Sequence, residues 1–338
     1  MEKRKFAVIG VGMWGESHIR VFKDHPFAEM TAISDKNEKR LGEIAEKCGI
    51  PRKYADYRAL LDSDIDAVSI ATPDFAHEEI ALAAIKAGKH VLIEKPMATT
   101  KAGCDRILTA LKKNPVKFMV DFHNRWSPPF YKAKKAVDDG ELGNIQFAHY
   151  RLWDTIFVPT QMLSWTGKST VNWFLATHSL DTMMWLLGDE PARVTSLKRD
   201  NVLTPMGIPT ADFYASLIEF RKGTVCALEN GWILPNTWPN IIDLKCRLVG
   251  DKGALCIDGS NNRAIEKYTS SGGSYPDVLV MPGVHGRPTG FAYDSIRYFA
   301  DCVIEDRQPM CTAADGAKVT EIILAIQKSA DTGRTVEL

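Results

Sequence analysis

The sequence is short of the features that mark several protein classes. Its 338 residues carry 42 Lys plus Arg against 42 Asp plus Glu, so neither sign of charge is in excess. A nucleic-acid-binding face needs a basic stripe, and the basic residues here are interleaved with acids nearly everywhere, so no nucleic-acid partner is expected. The one dense basic patch, MEKRK at 1–5, leads straight into a strand. No apolar run approaches the roughly 18 residues of a membrane helix, so no membrane association is expected. Residues 6–13 are apolar but glycine-rich and run into Glu16, Ser17 and His18, which predicts a cytoplasmic protein rather than an exported one. Cys48, Cys104, Cys226, Cys246, Cys256, Cys302 and Cys311 are odd in number and never form CxxC. They read as buried thiols in a reducing compartment, not as a disulfide or zinc framework. The eight histidines include no HExxH or HxH pair, so no metal is expected. An apolar content of 45% with 25% charged residues suits a soluble globular chain, and this length suits two domains.

The first 120 residues alternate between strand and helix signals. Short apolar runs at 6–10, 30–35, 65–72, 90–96 and 117–122 alternate with helical stretches at 14–24, 36–47, 77–87 and 100–112. That rhythm predicts right-handed crossovers and a parallel sheet covered on both faces. Near residue 123 the texture changes. Segments 144–153, 211–220, 223–232, 241–250 and 253–259 show period-two patterning separated by turns such as RKG and DKG, which predicts a mainly antiparallel sheet. Helices are expected around 129–139, 171–187, 289–306 and 313–331. The expected division is residues 1–122 and 123–338, with the last helix returning towards the first domain.

GVGMWG at 10–15 is a GxGxxG between a predicted strand and a predicted helix, the context of a Rossmann dinucleotide-binding domain. Gly10 permits the tight turn, Gly12 lets the backbone approach a pyrophosphate, and Gly15 lets helix and strand pack. Asp35, twenty residues beyond Gly15, stands where a carboxylate accepts bonds from the ribose hydroxyls and repels a 2′-phosphate. NAD is therefore expected over NADP, with Lys36 and Arg40 as the residues that could weaken the preference. Thr72 and Pro73 end the strand over whose edge a cofactor lies.

Glu94-Lys95-Pro96 places a lysine at the carboxyl end of a parallel strand, where ligands bind, and a desolvated ammonium there can act on a substrate hydroxyl. With this motif the sequence resembles the Gfo/Idh/MocA oxidoreductases, the glucose-fructose oxidoreductase and inositol dehydrogenase relatives. The likeness extends over essentially the whole chain: GVGMWG at 10–15, SIATPDFAH at 69–77, AGKHVLIEKPMA at 87–98, NRWSPPF at 124–130, HSLDTMMWLLG at 178–188, VGDKGALCIDG at 249–259 and the tail from 309. It implies a Rossmann domain followed by an α/β domain whose large open sheet serves oligomer contacts, here a homodimer or homotetramer. It implies that Lys95 is a catalytic and substrate-orienting group, that His178 is the acid/base on the reacting hydroxyl, and that Asp181 supports it. Many sugar and inositol dehydrogenases of the family carry an aspartate four residues before that histidine; here the position is Phe174.

The expected cofactor contacts are Gly10, Gly12, Met13, Trp14, Gly15, Asp35, Thr72, Pro73, His77, Glu94 and Lys95, joined by Arg125 and Trp126 after the last strand of the first domain. The expected substrate groups are Lys95, His123, Asp154, Trp165, Trp173, Thr177 and His178, with Trp165 and Trp173 as a sugar-facing aromatic pair. Trp126 suits a lid wall or hinge packing equally, and His178 on a helix rich in apolar residues also suits a core position. The expected function is NAD-dependent oxidation of a secondary hydroxyl of a sugar, glycoside, sugar derivative or cyclitol. The alternative is a non-catalytic dinucleotide-binding sensor of the same fold. His285 and Arg287 in the loop 282–290 suit closure over a substrate carboxylate or phosphate and, at least equally, a plain surface loop.

Overall fold

A computed structural model describes residues 2–260, 264–270 and 272–338. The chain forms two compact units, one of Met1–His123 with Val280–Thr320, the other of Asn124–Leu279 with Glu321–Leu338.

The first unit is built on six parallel strands: β1 (Arg4–Ile9), β2 (Ala28–Ser34), β3 (Arg52–Tyr54), β4 (Ala67–Ile70), β5 (His90–Ile93) and β6 (Phe118–Val120). Their order is β3-β2-β1-β4-β5-β6, the doubly wound arrangement whose strand order reverses beside β1, where a dinucleotide lies. Helices α1 (Met13–Asp24), α2 (Glu38–Cys48), α3 (Tyr57–Leu61), α4 (His77–Lys86) and α5 (Lys101–Lys113) make the connections. Asn37 and Thr100 start α2 and α5 by accepting the amides of Arg40 and Gly103, as short polar side chains do at helix starts. Phe6 stacks on Phe22 with ring centroids 4.7 Å apart and meets Phe299 of the helix Phe291–Ile304 edge-on at 6.4 Å. Sequence patterning did not resolve β3 and α3, because three and five residues are too few to show a period.

In the second unit, α6 (Pro128–Asp138) and α7 (Thr177–Leu187) accompany a sheet of β7 (Ile145–Thr155), β8 (Pro191–Arg199), β9 (Phe213–Phe220), β10 (Val225–Leu234), β11 (Ile242–Gly250), β12 (Ala254–Asp258) and β13 (Val336–Glu337). The order is β12-β11-β7-β10-β9-β8-β13. Every pair is antiparallel except β7 with β10, so the sheet is mainly antiparallel, as the patterning predicted, and open, as the resemblance implied. Tyr150, Leu228, Cys226, Cys246 and Leu248 are buried on one face, where Phe130 of α6 stacks on Tyr150. The other face exposes Phe147, Leu197, Leu217 and Val225 between ion pairs such as His149–Glu229 and Arg193–Glu219. Strand β8 escapes a hydrophobicity reading because its inward Ser196 is polar, its hydroxyl 2.8 Å from that of Ser216. Among the described residues no helix is long and apolar enough to cross a membrane.

Candidate active site

The three glycines of the loop between β1 and α1 meet different constraints. Gly10 has φ +90°, and a Cβ on it would lie 2.6 Å from the Ala71 carbonyl oxygen. A Cβ on Gly15 would lie 1.9 Å from the Gly10 carbonyl oxygen. Gly12, the N-cap of α1, has no capping side chain and nothing within 4 Å of where its Cβ would be. The backbone there is open, and the first amides of α1 are available to an anion. Met13 is exposed. Asp35 follows β2; its oxygens accept the amides of Val11 and Asn37, each at 2.8 Å, which fixes the carboxylate against the loop. Arg40 is committed to the Val11 carbonyl (3.1 Å) and to Glu16 (3.2 Å). Lys36 is exposed. The Thr72 hydroxyl oxygen is buried and has no partner among the described residues. An open helix start, a fixed acid and an orphaned hydroxyl along one sheet edge fit a dinucleotide.

His77 does something other than the expected cofactor contact. It is 1% exposed, with one ring nitrogen 2.6 Å from the Pro96 carbonyl and the other 2.8 Å from the Thr72 carbonyl. Burial keeps the ring neutral, so its single N–H donates to one of these two carbonyls while the ring packs between the β4 loop and the segment after Lys95. Lys95 follows β5 and is half-buried. Beside it Glu94 is buried; one oxygen accepts the Trp14 indole N–H and lies 3.0 Å from His18 Nε2. Trp14 thus links the glycine loop to the strand carrying Lys95. The His18 Nδ1 lies 2.7 Å from the Ser69 hydroxyl. Burial pushes His18 down to about 4 and Glu94 up to about 7 against the opposing charge of Lys95. Asp121, directly after β6, is fully buried, and one of its oxygens lies within 4.8 Å of a ligand atom of Glu94 and one of His18. The sequence reading missed His18 and Asp121. The available signal was an acid inside the apolar run KFMVDF.

His123 lies between the rings of Trp14 and Phe291, at centroid distances of 5.7 and 5.6 Å. Burial, and then the charge of Lys95, lower it to about 3. It is neutral at physiological pH and a poor proton acceptor. Arg287 is paired with Asp24 at 3.3 Å, a surface link.

In the second unit the helix expected over 171–187 starts π-wound at Asn172–Ala176 and becomes α-helical at Thr177; such turns recur at functional sites. His178 follows, 8% exposed. Thr177 is fully buried and donates to the Trp173 carbonyl at 3.3 Å, so its hydroxyl is turned back on its own helix instead of towards a ligand. Asp181 is gripped bidentately by Arg125, with Nε to Oδ2 at 2.9 Å and Nη2 to Oδ1 at 2.5 Å. Arg125, expected at the cofactor, is therefore committed to α7. Asp154 is buried and Trp126 half-buried. Trp173 is buried at 7% exposure, and the aromatic contact is instead Trp165 edge-on to Phe174 at 6.5 Å, with Phe174 6.2 Å from Trp232. Asn172 is 1% exposed, and neither amide atom has a partner among the described residues.

Residues 4–122 match the family model described as an oxidoreductase family with an NAD-binding Rossmann fold, and residues 134–338 match that family's C-terminal alpha/beta domain. The chain belongs to the Gfo/Idh/MocA oxidoreductase family. Among its relatives, this Gfo/Idh/MocA oxidoreductase is 31% identical to inositol 2-dehydrogenase of Salmonella typhimurium over 269 residues, 78% of this chain and 76% of that protein. It is 26% identical to myo-inositol 2-dehydrogenase of Thermotoga maritima over 99% of this chain and 98% of that one. Its fold matches that of scyllo-inositol dehydrogenase from Lactobacillus casei, solved with NAD(H) and scyllo-inositol bound, with a TM-score of 0.85, 20% identity and 99% of each chain covered.

Proposed function

We propose that this Gfo/Idh/MocA oxidoreductase is an NAD-dependent dehydrogenase that oxidises a secondary hydroxyl of a sugar, sugar derivative or cyclitol. The observation that carries the reading is the juxtaposition of a glycine loop with open backbone and a half-buried lysine at the end of β5, linked through Trp14 and Glu94. Inositol dehydrogenases among the relatives support the substrate class. The first amides of α1 hold the pyrophosphate, Asp35 takes the ribose hydroxyls and opposes a 2′-phosphate, and Arg40 is engaged by Val11 and Glu16, so NAD is the cofactor. When bound, the nicotinamide supplies the hydride acceptor.

The chain's own residues handle the proton. The Lys95 ammonium stabilises negative charge developing on the substrate oxygen, and His178 takes the hydroxyl proton as a neutral imidazole. Asp181, held by Arg125, fixes the turn of α7 that carries His178 and supports it by position. Residues 1–122 serve the cofactor and 123–338 the substrate. The face bearing Phe147, Leu197, Leu217 and Val225 serves a homodimer or homotetramer contact, since apolar side chains grouped on a sheet face mark an interaction surface.

The test is a screen of pyranoses, inositols and aminosugars with NAD and NADP, read by the near-ultraviolet absorbance of the reduced cofactor. Turnover with NAD on at least one polyol is expected. Tight cofactor binding with no turnover on any of them would instead favour the sensor.

A further inference from the structure

The ends of β5 and β6 bring two carboxyl groups together out of water. Asp121 is 0% exposed and Glu94 7% exposed. The ligand atoms of Asp121, Glu94 and His18 all lie within 4.8 Å of one another. Two carboxylates at this separation cannot both ionise without water or a cation between them. The donors are unequally shared. Glu94 accepts the Trp14 indole N–H, lies 3.0 Å from His18 Nε2 and is next to the ammonium-bearing Lys95. Neither oxygen of Asp121 accepts a hydrogen bond from the described residues. The nearby Ser295 hydroxyl has one proton and donates it to the Ala292 carbonyl at 3.0 Å. An ionised Asp121 would be a buried acceptor for which, among the described residues, only the Ser295 hydroxyl is at hand, and that proton is contested by the Ala292 carbonyl, an arrangement that costs more than the proton needed to neutralise it. A protonated Asp121 becomes a donor itself, and Glu94 is the acceptor within its reach.

We propose that Asp121 is a positioning residue of the dinucleotide site: it carries a proton at neutral pH and donates it to Glu94, so that the pair presents one negative charge, on Glu94, beside Lys95. The His18 imidazole completes the arrangement as a neutral ring, with Nε2–H donating to Glu94 and Nδ1 accepting from Ser69 at 2.7 Å. Glu94 then has three donors converging on it, Trp14 and His18 from α1 and Asp121 from the residue after β6. Its position fixes both Trp14 of the cofactor loop and the backbone that aims Lys95. Beside this pair, His123 lies against Trp14, and the Lys95 charge bears on it as well as on Glu94. Burial, and the proximity of the partner acid, hold Asp121 well above the usual carboxylate range, in keeping with this assignment.

The proposal rests on the dehydrogenase reading only for its consequence at the cofactor, and the first measurement is independent of that reading. Infrared difference spectra of the cofactor-free protein near neutral pH, wild type against Asp121→Asn, should show the carbonyl stretch of a protonated carboxylic acid that the substitution removes. The same band should persist to alkaline pH. The second measurement compares Asp121→Asn, whose amide N–H replaces the O–H donor, with Asp121→Leu, which has no donor. NADH affinity should be weaker in the leucine variant by about tenfold or more than in the asparagine variant, and the acid limb of its kcat/KM profile should be displaced. Absence of the band, or equal loss in the two variants, would overturn the proposal. So would a stoichiometric metal in the purified protein that Asp121→Asn releases, since the three side chains would then be ligands. Should the leucine variant fail to fold, the infrared comparison decides alone.

Discussion

His123 gives the sharpest stability prediction, because its environment turns a common titration into a pH-dependent liability. An unfolded histidine takes up a proton near 6.5, whereas burial against Trp14 and Phe291 and the Lys95 charge hold the folded ring neutral down to about 3. Above 6.5 both states are neutral and nothing is lost. Between 6.5 and 3 the unfolded chain binds a proton that the folded protein refuses, so stability falls as pH falls, by about 1.4 kcal/mol for each pH unit. From about pH 7 to about pH 5 this one ring removes about 2 kcal/mol. His18 acts in the same direction, being held near 4. Glu94 acts in the opposite direction: with its folded value raised to about 7, it contributes stability that is full below its unfolded value and lost as pH rises through 7. The substitution His123→Phe keeps a ring between Trp14 and Phe291 and removes the titration. Urea unfolding of both proteins at the two pH values isolates the difference, because any constant cost of the substitution cancels. The wild type should lose about 2 kcal/mol more than His123→Phe on acidification. Equal losses in the two proteins would refute the reasoning, as would a nitrogen-15 imidazole spectrum showing His123 charged near pH 6.

Three further outcomes are expected. Lys95→Ala and His178→Ala should each lower turnover by about 10²-fold or more with near-normal NAD affinity; a nearly silent Lys95→Ala in steady-state kinetics would sink the enzyme reading. Gly12→Ala should fold normally, since among the described residues nothing beyond its chain neighbours lies within 4 Å of its Cβ, but lose NADH affinity in a fluorescence titration. Gly15→Ala should displace the loop itself, because its Cβ meets the Gly10 oxygen at 1.9 Å, and should lower thermal stability as well. NAD should be preferred to NADP by at least about tenfold, or about 1.4 kcal/mol, with Asp35→Ala narrowing the gap in a paired binding titration.

What the sequence determined by itself was the alternation of elements, the two sheet types, the glycine fingerprint with its acid, and the lysine at the end of β5. Each is a local pattern: a period of two or 3.6, or a residue type at a fixed offset from a turn. Elements too short for a period, such as β3 and α3, and an inward strand face bearing Ser196 on β8 stayed hidden for the same reason. Only the tertiary structure decided how individual side chains are used, since that depends on which donors and acceptors meet from distant segments. It seated His77 between two carbonyls, paired Arg125 with Asp181, set the Thr177 hydroxyl against its own helix, and placed Phe174 beside Trp165 while Trp173 went to the interior. It also brought His18, Glu94 and Asp121, separated by more than a hundred residues from first to last, within 4.8 Å. A parallel sheet delivers the ends of sequence-distant strands to one edge, and which donors meet each buried acid there is not legible from residue type.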